Sequence, residues 1–237
     1  MKVIVTAGPT REHLDPVRFL SNPSTGKMGF AIAAEAARRG HEVTLIAGPV
    51  ALKTPKGVSR VDVTSAREML AAVVGAFGDS KRTTAREAVF ISTAAVADWR
   101  PVTCAAKKLK KGEMSGVLRL VRNPDILKTI ARQVGGRRST AEGKNSIVQP
   151  STFNLQPIRL VGFAAETDHV LAEAARKCRE KGLEFIVAND VSEKGSGFGT
   201  DTNRVTFVFP DGTQRKFPLM TKRMVAKRIL EEIENEK

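Results

Sequence analysis

The sequence has no tyrosine and a single tryptophan, and aromatic residues make up 5% of its 237 positions. Stacking platforms for single-stranded nucleic acid are therefore scarce. Cysteine occurs twice, at Cys104 and Cys178, far apart and without paired spacing. That argues against a disulfide framework and a cysteine zinc site and leaves two plain thiols. The three histidines, His13, His41 and His169, are isolated from one another, so no triad and no metal cluster is suggested. No stretch approaches the roughly 18 uninterrupted apolar residues of a membrane span. The opening run from Met1 to Thr6 passes straight into Ala7-Gly8-Pro9 without the apolar core of a signal peptide. The expectation is a cytoplasmic protein.

What is present is ordinary for a globular chain, with 41% hydrophobic and 27% charged residues, which excludes disordered, collagenous and heptad-only architectures. The length suits one large domain or two small ones with a substantial core, and the expectation is a single domain over 1–237. Charge is the unusual term: 39 Lys and Arg against 25 Asp and Glu leave a net +14. Such a balance favours anionic partners, among them nucleic acid, nucleotides and phosphorylated metabolites, and its sign alone does not choose among them.

The periodicity alternates between strand and helix. Lys2 to Thr6 reads as a buried strand, and Met28 to Arg39 as an amphipathic helix stopped by Gly40. Glu42 to Ala47 is the next strand, so the first fifty residues form a β-loop-α-β unit. Val58 to Val63 is followed by Ser65-Ala66-Arg67-Glu68, a capping box opening a helix to about Phe77. Val89 to Thr93 has the continuous apolar run of a strand buried on both faces. Leu118 to Val121 is a shorter strand candidate, and in Asn123-Pro124-Asp125 the Asn can cap and the Pro can open a helix to about Gln133. Ile158 to Gly162, Thr167 to Lys181 and Phe185 to Ala188 repeat strand, helix, strand. Asp211-Gly212 joins a hairpin of Arg204 to Phe209 and Gln214 to Phe217, and Met220 to Glu234 closes with a helix. The pattern predicts an α/β fold with a doubly wound, mostly parallel sheet and one C-terminal antiparallel hairpin. Two segments fit no element: a mobile basic loop over 105–116 and a polar surface insertion over 135–157.

Ligands of open α/β sheets bind outside the carboxyl ends of the strands, so the loops there are the place to look. Ser21-Asn22-Pro23-Ser24-Thr25-Gly26-Lys27-Met28-Gly29 ends at a helix N-terminus, which suits either a phosphate or a plain hydrogen-bonded turn. Its Gly-Lys resembles the end of a P-loop, but the earlier glycine is absent, and the Gly-x-Gly-x-x-Gly dinucleotide fingerprint is missing too. After the Val89 strand, Ala94 to Pro101 offers small residues that let backbone approach a ligand. Within it, Asp98 suits either magnesium beside phosphates or a surface pair with Arg100. The lysines from Lys107 to Lys111 are either a solvated charge run or a cover for a triphosphate. Lys177 and Lys181, beyond Gly162-Phe163-Ala164-Ala165-Glu166-Thr167, share one helix face.

In order along the chain, TAGPTREHLDPVRFLSNPSTGKMGFAIAAEAARRGHEVTLIAGPV, STAAVADWRP, KKLKK, LVRNPDI, VGFAAET and ANDVS resemble the bacterial phosphopantothenoylcysteine synthetases, or phosphopantothenate–cysteine ligases. In many bacteria this unit is the C-terminal half of a bifunctional coenzyme A biosynthesis protein. The resemblance implies a Rossmann-like fold, a homodimer, and ligation of 4'-phosphopantothenate to L-cysteine through an acyl-cytidylate made from CTP. By the same resemblance Asn22 matches the asparagine that converts the acyl-cytidylate, and Lys108 the lysine that helps form it. Ser92, Thr93, Ala94 and Asp98 match the cytidine-nucleotide segment. Val121, Arg122, Asn123, Pro124, Phe163, Lys177 and Lys181 match further nucleotide-contacting positions. Magnesium is implied by the triphosphate chemistry, with Asp98 its candidate ligand. A further implied partner is the flavin-dependent phosphopantothenoylcysteine decarboxylase. Pro23, Trp99 and Lys107 depart from the family's usual residues, and 135–157 has no counterpart in its pattern.

Two other classes compete with the ligase. A basic nucleic-acid-binding module is supported by the charge and KKLKK but shows no recognised binding motif. A nicotinamide-dependent oxidoreductase is disfavoured by the missing glycine fingerprint.

Overall fold

The computed structural model describes residues 1–78, 87–110, 116–135, 158–166, 170–190, 195–197 and 199–235. The chain opens with β1 (Lys2–Ala7), a small hairpin of β2 (Arg11–His13) and β3 (Phe19–Ser21), helix α1 (Lys27–Arg38), and strands β4 (Glu42–Ala47) and β5 (Val58–Asp62). Helix α2 (Ala66–Gly78) and β6 (Ala88–Ser92) come next, then β7 (Trp99–Pro101), β8 (Leu120–Arg122) and helix α3 (Ile126–Gly135). β9 (Ile158–Glu166), α4 (Val170–Glu180) and β10 (Phe185–Asp190) repeat the alternation. The chain ends with β11 (Thr202–Asn203), β12 (Thr206–Val208), β13 (Gln214–Lys216), β14 (Met220–Thr221) and α5 (Lys222–Asn235).

Eight strands form the main sheet in the order β13-β12-β10-β9-β6-β1-β4-β5. The six from β10 to β5 are parallel, while β12 and β13 add antiparallel at one edge. Every residue of β1 is buried, because a central parallel strand is covered on both faces. Its side chains alternate accordingly. Val3 and Val5 pack with Phe30 and Ile32 of α1 and with Val225 and Ile229 of α5. Ile4 packs on the other face with Met69, Val73 and Phe77 of α2, Ile130 of α3 and Ala174 of α4. The expected doubly wound, mostly parallel architecture is the observed one. No helix among the described residues is long and apolar enough to cross a membrane.

Local signals behave as their chemistry requires. In the α2 capping box, Glu68 N–H donates to Ser65 Oγ at 3.3 Å while the Glu68 carboxylate accepts from Thr64 N–H at 2.9 Å. Three expectations are corrected. The C-terminal hairpin is present, and among the described residues three two-stranded antiparallel pairs accompany it, β2-β3, β7-β8 and β11-β14. The strand expected over Leu118 to Val121 is Leu120–Arg122, and it joins the β7-β8 ribbon outside the main sheet. The cap of α3 is Asp125 and not Asn123: Asp125 Oδ1 accepts from Lys128 N–H at 2.8 Å. The Asn123 amide is instead drawn to the Ala97 carbonyl at 2.8 Å. Of the basic loop expected over 105–116, residues 111–115 lie outside the described residues, and of the insertion over 135–157 only Gly135 lies inside them. His169 and Thr167 also fall outside.

Candidate functional site

Among the parallel strands the order is β5-β4-β1-β6-β9-β10, so chain direction across the sheet reverses between β1 and β6. Loops leaving two such strands diverge to opposite faces and open a crevice at their carboxyl ends. A cleft of about 540 Å³ lies there, against the first turn of α1 and the ends of β6, β9 and β10.

Its floor is stitched from the loops that follow β1 and β6. Thr93 Oγ1 donates to the Thr6 carbonyl at 2.5 Å, and Ala95 N–H to the Gly8 carbonyl at 2.9 Å. Thr10 N–H returns to the Ala95 carbonyl at 3.3 Å, and Ala97 N–H reaches Thr10 Oγ1 at 3.0 Å. Asn22 spans this seam. Its Nδ2 donates to the carbonyls of Ala95 and Val96 at 3.1 and 3.2 Å, which leaves Oδ1 without a partner among the described residues.

Next to Asn22 the chain enters α1 through Gly26, at φ +78°, a left-handed conformation that glycine adopts without strain. No side chain caps this helix, and its first turn carries no acidic residue. The free amides and the positive end of the helix dipole thus lie where Gly26, Lys27, Met28 and Gly29 line the cleft.

The opposite wall is built by residues far apart in sequence. Asn123 Nδ2 binds the Ala97 carbonyl, and Asn123 N–H donates to the Asp98 carbonyl at 2.8 Å. Arg100 donates to Asn123 Oδ1 at 3.1 Å and to the Arg122 carbonyl at 2.7 Å. It makes no pair with the Asp98 carboxylate among the described residues, so the surface-pair reading of Asp98 is not realised. Lys181 Nζ stands 2.7 Å from Asp125 Oδ2. Burial alone would raise the Asp125 carboxyl, but the Lys181 ammonium and the Lys128 amide together hold it below its ordinary value.

The model of the DNA/pantothenate metabolism flavoprotein C-terminal domain matches residues 1–141 and 145–236. The chain belongs to this family. It is 44% identical over 232 residues to the Coenzyme A biosynthesis bifunctional protein CoaBC of Bacillus subtilis (strain 168), covering 98% of this chain and 50% of that protein. It is 42% identical over 236 residues to the namesake in Escherichia coli (strain K12), covering 98% of this chain and 51% of that one. The chain therefore spans about half the length of the relatives it matches. The crystal structure of the C-terminal domain of a CoaBC superposes with a TM-score of 0.72 at 39% identity, covering 98% of this chain and 93% of that one.

Within this family frame, the cleft gathers Asn22, Ser92, Thr93, Ala94, Asp98, Asn123, Pro124, Phe163 and Lys181 from the residues singled out by sequence. It does not gather the others. Val121 and Arg122 lie exposed on the β7-β8 ribbon, the Arg122 guanidinium over the Trp99 ring at 5.2 Å. Lys177 pairs with Glu173 at 3.7 Å along α4 and does not line the cleft. Lys108 is exposed outside the cleft, beside a residue that is clamped: Leu109 N–H donates to Asp15 Oδ2 at 3.2 Å and the Leu109 carbonyl accepts from Arg18 at 2.7 Å. Asp15 is buried, and its bond from Arg18 holds its carboxyl far below the usual range.

Polar cleft residues that sequence reasoning did not single out include Asn189, Asn203 and Lys222, while Lys27 was noted as part of the loop entering α1. Asn189, at the end of β10, is 7% exposed, and its amide has no hydrogen-bond partner among the described residues. Lys222 is 6% exposed and donates to the carbonyls of Gly197 and Thr200 at 2.9 and 2.6 Å. Burial, and then the charge of Lys27, pull its ammonium below the ordinary lysine value. One signal was available: Lys27 and Lys222 both open helices, where the dipole disfavours a cation.

Proposed function

We propose that this chain is a phosphopantothenate–cysteine ligase, joining 4'-phosphopantothenate to L-cysteine through an acyl-cytidylate made from CTP. The observation that carries the reading is that Asn22, the Ala94–Val96 turn and Asp98 meet in one switch-point cleft rimmed by Lys27, Lys181 and Lys222. Neutral amides and lysines outnumber the carboxylates of Asp98 and Asp125 in its lining, which suits two polyanions.

In the proposed first step a carboxylate oxygen of 4'-phosphopantothenate attacks the α-phosphorus of CTP. The bond to the bridging oxygen breaks, and pyrophosphate leaves with the electron pair. In the second, the cysteine amine attacks the acyl carbon, the acyl–oxygen bond breaks, CMP departs and the amine proton is released. Asn22, tethered through its donors, presents Oδ1 as an acceptor that does not titrate to an N–H of the incoming amine. Lys108 is assigned to the charge developing on pyrophosphate.

Asp98 fits a magnesium ion. It lines the cleft, makes no ion pair among the described residues, and stands without a cluster of further metal-ligating groups. Magnesium usually takes one or two carboxylates together with substrate phosphates and water. Bound there, the ion supplies neutralisation of the triphosphate.

A homodimer belongs to the same reading. The β7-β8 ribbon and its flanks expose Trp99, Val102, Val117, Leu118 and Leu120, large apolar side chains of the kind that interaction surfaces present. We place the enzyme in the cytoplasm, beside a flavin-dependent phosphopantothenoylcysteine decarboxylase that consumes its product.

The test is pyrophosphate release from the purified chain with magnesium, 4'-phosphopantothenate and either CTP or ATP, with and without cysteine. Release that prefers CTP and multiplies with cysteine is expected. No release with either nucleotide overturns the reading.

A further inference from the structure

Lys27 and Lys222 meet the same short segment from two helices. Lys27, first residue of α1, donates from Nζ to the Gly199 carbonyl at 3.2 Å and to Asp201 Oδ1 at 2.7 Å. Lys222, first residue of α5, holds the carbonyls of Gly197 and Thr200, and its own N–H donates to the Asp201 carbonyl at 2.9 Å. Two ammonium groups thus converge with one carboxylate between them. That carboxylate is 86% exposed at its side chain, so its hold on Lys27 is a weak, solvated one. Both lysines stand at helix starts, where the dipole opposes them, and both line the cleft beside the Asn189 side chain, which has no hydrogen-bond partner among the described residues. Local rules broken twice at one place mark a site whose compensating charge arrives with its ligand.

We propose that Lys27 grips the phosphates of the bound nucleotide and that Asp201 occupies its ammonium only between ligands, on a segment held in place by Lys222. This deepens the polyanion-binding reading above and rests on it. A carboxylate offers a lysine the same charge-assisted contact as a phosphate oxygen, but a triphosphate brings more charge into the cleft. The handover gives up one exposed ion pair for contacts where water is fewer. It also explains the Gly26-Lys27 pair: the lysine has the role of a phosphate cation without the glycine-rich loop of a Walker site.

Asp201 then has a sign that a structural role would not give it. As the competing anion it weakens phosphate binding, and its removal strengthens it. Calorimetric titration of the whole chain with magnesium-CTP, and separately with inorganic pyrophosphate, reads this directly. Lys27→Met is expected to weaken binding about tenfold, Asp201→Asn to tighten it about threefold, and Asp201→Asn to have no effect when Lys27 is already Met, as a coupled pair requires. Lys27 is part-exposed and Asp201 exposed at the surface, and thermal melting of each variant checks that the fold is kept. Wild-type affinity in Lys27→Met, or weakened or unchanged affinity in Asp201→Asn, overturns the proposal. The ligase reading fails separately: pyrophosphate bound through Lys27 without CTP turnover would sink that reading and keep this inference, while CTP turnover with affinity indifferent to Lys27 would do the reverse. A wild-type chain that binds neither ligand ends both.

Discussion

Gly29 and Ala7 stand so close that a β-carbon on Gly29 would lie 2.5 Å from the Ala7 Cβ. It would also lie 2.6 Å from Thr93 Oγ1, the hydroxyl that ties the end of β6 to the Thr6 carbonyl. This absence of a side chain lets the first turn of α1 lie directly on the ends of the two central strands, which is what brings a helix N-terminus to the cleft. Gly29→Ala must push α1 outward. We expect a loss of about 1–3 kcal/mol in urea unfolding, together with weaker nucleotide binding. A variant with wild-type stability and affinity would refute this account of the contact.

Asn22→Asp replaces two donors by acceptors facing the carbonyls of Ala95 and Val96, and adds a negative charge in a cleft read as binding polyanions. The turn should open and the second half-reaction should suffer most. Turnover is expected to fall by about a hundredfold or more, the size of misplacing a group that positions a reactant. Acid quenching should then trap acyl-cytidylate that the wild type does not accumulate. Normal turnover without trapped intermediate would remove Asn22 from its assigned role.

The central strands were legible because burial on both faces writes a continuous apolar run, as in β1 and β6, and Ser65 and Glu68 announced α2 by reciprocal capping. The β2-β3 hairpin was not legible. Its strands have three residues each, and what defines them is a partner strand, not a period. Asn123 was expected to cap α3, and it is drawn away from that place by the Ala97 carbonyl, 26 residues distant in sequence, so that Asp125 caps instead. The site divides in the same manner. Residues on strand ends and the α1 loop, such as Asn22, Thr93 and Asp98, could be placed from the switch-point rule. Lys222 could not, because no local pattern carries a C-terminal helix start back to a cleft at the ends of β6, β9 and β10.

Lys108→Gln tests the other half-reaction. The side chain is exposed, so its loss should leave thermal stability unchanged, within the roughly 0.5 kcal/mol usual for surface substitutions. Its neighbour Leu109 stays clamped by Asp15 and Arg18, so the backbone should keep its place. Pyrophosphate release in a single turnover is expected to slow by about a hundredfold, with no intermediate accumulating. Release at the wild-type rate would show that Lys108 does not serve the transferring phosphate.

Glu35 ties the two helices of one face together at their carboxyl ends. Its carboxylate accepts from Arg38 at 2.7 and 2.8 Å and from Arg39 at 2.8 Å, and Arg39 continues to Glu234 of α5 at 2.5 Å. The bonds from Arg38, outweighing burial, lower its pKa from 4.5 to about 2. A group whose folded pKa is depressed contributes stability above its unfolded value, and that contribution fades as pH falls through the folded one. Melting temperatures of the wild type and Glu35→Gln should therefore differ at neutral pH and converge between pH 4.5 and about 2. Parallel profiles across that window would show that the Glu35 charge does not add to stability.

The exposed ribbon gives the last expectation. Trp99 pairs across β7-β8 with Arg122 and Pro101 with Leu120, which places Trp99 and Leu120 on one face, since side chains two apart on a strand point the same way. Both are more than two-fifths exposed, on a ribbon that stands apart from the main sheet. A second copy covering this face would bury them at little conformational cost, because the ribbon is already formed. Leu120→Glu would place a charge in the middle of such a contact, where burying it unpaired is unfavourable. Light scattering should find the wild type dimeric at micromolar concentration and Leu120→Glu monomeric, with its melting temperature falling only by what the lost association supplied. A dimer that survives Leu120→Glu would move the interface elsewhere, and a wild type that stays monomeric would leave the ribbon's apolar face to a different partner.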